Sequence, residues 1–103
     1  MPRVMFQVVH HPHPEHVDDL LDAMRRIYVA APGVPGLEAI GAFRDDEGGR
    51  VFAVSLWSSP EAMEAGMQQL FAWVGELPFD VWERQPYEAL VLPEVAVAPA
   101  AAG

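Results

Sequence analysis

The stretch from Arg50 to Val74, RVFAVSLWSSPEAMEAGMQQLFAWV, changes its hydrophobic period once, and that change admits few folds. Val51 to Trp57 is an apolar run rich in β-branched and aromatic residues, as a buried strand requires. Ser58-Ser59-Pro60-Glu61 then predicts a helix start: a serine cap, a proline whose missing N–H costs nothing in the first turn, and an acid near the positive helix end. With Ser58 as the cap, Glu61 completes a capping box. Met63, Gly66, Met67, Leu70, Phe71 and Val74 follow at three- and four-residue spacing, one apolar stripe along a helix.

The rest of the chain supplies a partner for each half of this unit. Val4 to Val9 reads as a first strand, apolar on both faces. His10-His11-Pro12-His13-Pro14 ends it, because the residue before each proline is pushed out of helical geometry. A helix is predicted over 14–30, with Val17, Leu20, Leu21, Met24, Ile27, Tyr28 and Ala31 as its stripe. Its acids come early and Arg25-Arg26 late, the order the helix dipole prefers. After the breaker cluster Ala31–Gly36, Leu37 to Arg44 forms a second strand in which Gly41 marks a bulge or a close approach. Asp45–Gly49 is a hairpin connection, and Gly75–Pro86 is irregular with room for a short helical turn. Tyr87 to Leu92 supplies a last strand. A domain over 1–93 is therefore followed by an Ala/Pro-rich tail, 94–103, in which Val95–Val97 offers an edge pairing and the final residues are expected to be disordered.

The element order is β-α-β-β-α-β, a ferredoxin-like split βαβ arrangement of class α+β: a four-stranded antiparallel sheet with two helices on one face. The other sheet face is left bare, yet the strands are apolar on both sides. A hydrophobic content of 51% in 103 residues points the same way. Two such sheets packed face to face form a dimeric α+β barrel, so a homodimer is expected. The net charge of −9 repels phosphate backbones and anionic lipid, so neither nucleic acid nor a membrane is expected as partner. Met1 to Val9 is too short for a signal peptide or a membrane span, and a cytoplasmic location is expected. The chain has no cysteine, which excludes disulfides and thiolate chemistry. No phosphate-binding glycine loop, dinucleotide motif or nucleophile elbow is present, and no cofactor is expected.

With that order in place, the chain resembles the antibiotic biosynthesis monooxygenase-like family of the dimeric α+β barrel superfamily. Pro35-Gly36-Leu37 before the second strand and Val54-Ser55-Leu56-Trp57-Ser58-Ser59-Pro60-Glu61-Ala62 carry the resemblance, which covers roughly residues 3–92. Haem-degrading relatives have an asparagine on the first strand, a second tryptophan in the second helix and a histidine beyond it. The corresponding places here are Val8, Gly66 and Glu76, so haem degradation is disfavoured. The resemblance implies oxygenase-like chemistry and transfers no catalytic residue.

Chemistry therefore has to be sought in the residues themselves. All four histidines, His10, His11, His13 and His16, fall in one short run. Strand alternation puts His10 with Val4, Phe6 and Val8, the face that the resemblance implies is turned to the helices. There it is the candidate catalytic base at the mouth of a pocket; the alternative is a polar loop of solvated or helix-capping histidines. No metal site is expected, since prolines divide the run and a carboxylate would have to come from a distance, such as Glu88. Met24, Trp57, Met67, Trp73 and Trp82 are the candidate substrate-binding residues, lining an apolar space for a flat organic ligand, with Trp82 as a lid. Two functions fit: a cofactor-independent monooxygenase-like enzyme acting on a phenolic or quinol-type substrate, or a non-catalytic dimeric ligand-binding or stress-associated protein. A cavity reaching His10 favours the first; a solidly filled space favours the second.

Overall fold

The change of period falls where β3, Arg50–Trp57, hands over to α2, Pro60–Val74. The computed structural model describes residues 2–98. Within them β3 lies in a four-stranded antiparallel sheet with β1 (Val4–His10), β2 (Leu37–Asp45) and β4 (Glu88–Pro93), in the order β2-β3-β1-β4. With α1, Val17–Val29, the chain has the split βαβ order of a ferredoxin-like α+β fold. A 3-10 turn, Pro14–His16, leads into α1, and one helical turn, α3 (Phe79–Trp82), interrupts the irregular segment before β4.

Three local expectations are corrected. Ser59, not Ser58, caps α2: its backbone is extended and its Oγ accepts the Ala62 N–H at 3.1 Å. Glu61 then stands one position too early for a capping box. Ser58 is held elsewhere, its N–H donating to the Gly36 carbonyl at 2.8 Å. Gly36 has φ +81°, and a Cβ there would meet Ala62 Cβ at 2.5 Å, so this turn requires glycine. The sheet irregularity lies between Leu37 and Ala39 rather than at Gly41. Val95–Val97 adds no strand, and Val95 is 96% exposed. The expected disorder at the chain end concerns 99–103, outside the described residues.

Register divides the sheet into two faces. Val4, Phe6, Val8 and His10 of β1 stand opposite Trp57, Ser55, Ala53 and Val51 of β3, and this set faces the helices. Met5, Gln7 and Val9 stand opposite Leu56, Val54 and Phe52 on the other side. There Phe43 pairs across from Phe52, and Leu90 and Leu92 from Gln7 and Met5. No helix covers them: Phe43, Leu90 and Leu92 are 64%, 49% and 42% exposed.

The core under the helices has two centres. Val4, Val34, Trp57 and Leu70 gather at one end; Leu20, Met24 and Val51 gather near His10. Trp57 is fully buried, and its Nε1–H donates to Ser55 Oγ at 2.8 Å. Its ring fits because position 66 is glycine: a Cβ there would overlap the Trp57 ring and stand 2.9 Å from Val34 Cγ1. The missing tryptophan of the haem-degrading pattern is thus replaced by a residue that makes room for Trp57.

Candidate active site

Between the two core centres the sheet and helices do not meet, leaving a cavity of about 400 Å³. Its floor is Phe6, Val8 and His10 of β1 with Ala53 and Ser55 of β3. Met24, Ile27 and Tyr28 of α1 form one wall, Met63, Met67 and Phe71 of α2 the other, and Phe79 with Tyr87 closes the His10 end. A mostly apolar cavity of this volume, with a few polar groups, has the character of a small-molecule pocket.

Of the expected lining residues, His10, Met24 and Met67 face this space. The three tryptophans do not. Trp57 is in the core, and Trp73 is 60% exposed on the outer side of α2. Trp82 packs against the Leu20–Met24–Val51 centre and meets Phe79 edge-on at 6.1 Å. The irregular segment does cover the cavity, but through Phe79 one turn earlier.

His10 is 5% exposed, so it is no solvated loop residue. Its ring stacks on Phe79 at 5.4 Å and tilts against Tyr87 at 5.6 Å. Nδ1 lies 3.3 Å from Glu83 Oε1, which also accepts the His11 backbone N–H at 2.7 Å. Glu83 is brought there by backbone bonds on either side of it. His13 N–H donates to the Trp82 carbonyl at 2.8 Å, and Arg84 N–H to the His11 carbonyl at 2.9 Å. The Arg84 guanidinium also donates to the Gly48 and Gly49 carbonyls of the β2–β3 hairpin, at 3.3 and 3.0 Å. Glu88, the distant carboxylate that the sequence offered for a metal site, instead meets His11 Nε2 at 3.0 Å. Among the described residues, no group of three or more His, Asp or Glu side chains is placed to hold a metal ion.

Burial holds the His10 pKa below its ordinary 6.5, partly opposed by Glu83, so at neutral pH the imidazole is uncharged. A carboxylate at Nδ1 favours the tautomer with the proton there, which leaves the Nε2 lone pair as a base. The buried side-chain atoms without a hydrogen bond, among the described residues, are His10 Nδ1, Glu83 Oε2 and the Tyr28 hydroxyl. All three belong to residues in or behind the cavity wall. Burial also pushes the Tyr28 phenol up to about 12, which keeps it a hydrogen-bond donor at neutral pH. An enclosed hydroxyl without a partner costs roughly 1–3 kcal/mol.

The lowered His10 pKa makes a signed prediction. Above about pH 6.5 both folded and unfolded chains carry a neutral His10, and its contribution is unchanging. Below that value the unfolded chain takes up a proton first, so stability falls with pH until the folded value is passed. Asp45, held below its ordinary 3.8 mainly by the Gly48 N–H, titrates under a more acid window. Melting temperature should therefore drop between pH 7.5 and pH 5 more steeply in the native chain than in His10→Gln.

No protein-family model matches the sequence, and comparison with curated proteins finds no match. Solved structures do match in fold. The chain is similar to Rv0793 from Mycobacterium tuberculosis, 17% identical, TM-score 0.73, over 94% of this chain and 99% of that one. It is similar to an antibiotic biosynthesis monooxygenase, 16% identical, TM-score 0.69, over 90% and 99% of the two chains. A dimeric ferredoxin-like protein from an uncultured marine organism is 10% identical, TM-score 0.77, over 98% and 95%. These likenesses are in fold, as the βαββαβ order and the resemblance led one to expect.

Proposed function

We propose that the chain is a cofactor-independent, monooxygenase-like enzyme that oxidises a phenolic or quinol-type substrate in this cavity, with His10 as the base. The observation that carries the reading is the buried, neutral His10, backed by Glu83, on the wall of a mostly apolar cavity. The likeness in fold to an antibiotic biosynthesis monooxygenase supports it. Burial keeps the base unprotonated at neutral pH, and Glu83 stabilises the imidazolium once His10 has accepted a proton. Met24, Met67 and Phe71 hold the substrate rings and exclude water.

For an anthrone-type substrate the balance is simple. His10 takes the acidic proton, the carbanion forms a C–O bond to dioxygen, and protonation gives a hydroperoxide. Loss of water leaves a carbonyl, so one ring methylene and one dioxygen become one carbonyl and one water, with dioxygen as the only oxidant. A panel of anthrones and quinols assayed for oxygen uptake tests this. Consumption of one dioxygen per carbonyl formed is expected; binding without uptake across the panel would turn the reading to a non-catalytic ligand binder.

The bare sheet face belongs to the same proposal. Phe43, Phe52, Val54, Leu56, Leu90 and Leu92 present a two-dimensional apolar patch that a second sheet would cover, making the working unit a homodimer. The dimeric organisation of the marine ferredoxin-like protein supports that arrangement. Sedimentation should give a dimer for the native chain and a monomer for Phe43→Glu combined with Leu90→Glu.

A further inference from the structure

Among the described residues the Tyr28 hydroxyl, a donor on the cavity wall, has no hydrogen-bond partner, and the base reading leaves it without a role. It lies in the last turn of α1, eight residues beyond Leu20, or roughly 12 Å further along the helix axis. Leu20 packs beside Val51, which stands across the strand pair from His10. The Tyr28 ring nonetheless packs onto that same Leu20–Met24–Val51 centre from α1, while His10 stands on β1, so the two face the cavity from the helix layer and the sheet layer. The lining also includes Met24, Ile27, Phe6 and Val8, which offer no side-chain hydrogen bond, and Ser55, whose Oγ already accepts the Trp57 Nε1–H.

We propose that Tyr28 is a ligand-binding residue whose O–H donates to a second substrate oxygen, distinct from the one at His10. The cavity then prefers flat aromatic molecules with oxygen at two positions, as in diols, quinols and hydroxy-ketones, over simple phenols. A site that leaves a buried donor unpaired discriminates against an analogue lacking the acceptor. The donor is also compatible with a resting enzyme, since its phenol stays protonated far above neutral pH. This rests on the phenol reading of the cavity.

The test is calorimetric, without oxygen, on the full chain. Its probes are 1-naphthol, 2-naphthol and the 1,4-, 1,5-, 2,6- and 2,7-dihydroxynaphthalenes. At least one diol should bind about tenfold tighter than either naphthol. In Tyr28→Phe that diol should fall to the naphthol level, while naphthol binding stays within about twofold. The ligand-free variant should melt at the native temperature or above, because the hydroxyl it loses has no partner to give up. Equal binding of diols and naphthols, or a diol advantage that persists in Tyr28→Phe, overturns the inference and leaves the phenol reading standing. Failure of every probe to bind overturns both. If Tyr28→Phe does not fold, the hydroxyl is a structural group and the inference falls.

Discussion

His10→Ala should lower oxygen uptake by at least about a hundredfold, the loss expected when a positioned general base is removed. The substitution is not silent for stability. His10 is buried, and its removal takes from Glu83 the ring that stands 3.3 Å from Oε1. A cost of roughly 1–3 kcal/mol follows from a buried carboxylate left with fewer partners. Turnover should therefore be measured well below the melting temperature and compared with His10→Gln, which keeps a polar group at this position. Added imidazole provides the decisive control. It fits the space that the alanine opens next to the cavity, and partial return of uptake in His10→Ala alone would identify a lost base. Uptake unaltered in both variants would remove His10 from the mechanism.

Trp57→Ala is expected to have the largest effect on stability, about 3–5 kcal/mol, in the range measured for buried aromatic truncations. Against the 5–15 kcal/mol typical of a whole domain, as an order of magnitude, that is a large share. The ring is fully buried among Val4, Val34 and Leu70, and its Nε1–H satisfies Ser55 Oγ. Truncation leaves a void and a hydroxyl without its donor. Collapse is limited because Gly66 has no side chain to move into the space. Urea unfolding followed by far-UV circular dichroism reads the effect. A loss under about 1 kcal/mol would mean that the ring is not the centre of the core.

These two positions also mark what can be learned from the sequence and what cannot. The strand-to-helix change at Ser58 and the alternation in β1 are local patterns: they led to the element order and grouped His10 with Val4, Phe6 and Val8, while the turning of that face to the helices was implied by the family resemblance. The choice between Ser58 and Ser59 as cap is not local: it depends on the Gly36 carbonyl, which claims the Ser58 N–H. Glu83 escaped notice for a similar reason. It sits in a segment without periodicity and is brought to His10 by the backbone bonds of its neighbours Trp82 and Arg84 to His13 and His11, which no spacing encodes. An acid beside the apolar Phe79–Trp82 turn is the one available signal, and it is weak. The tryptophans show the converse limit. A large apolar ring suits a core and a cavity equally, and for Trp57 the decision lay with a glycine on another element.

The alternation of β1 has a consequence for how the chain tolerates change. Positions 4, 6, 8 and 10 floor the cavity side, and 5, 7 and 9 belong to the outward sheet face, though all share one backbone. A substitution at an even position can alter ligand preference with the outward surface untouched, and one at an odd position can do the reverse. Drift in one trait is thereby insulated from the other. Length is not insulated at all: one residue inserted within Val4–His10 would exchange the two sets beyond it, moving His10 out of the cavity and disturbing both traits in a single event.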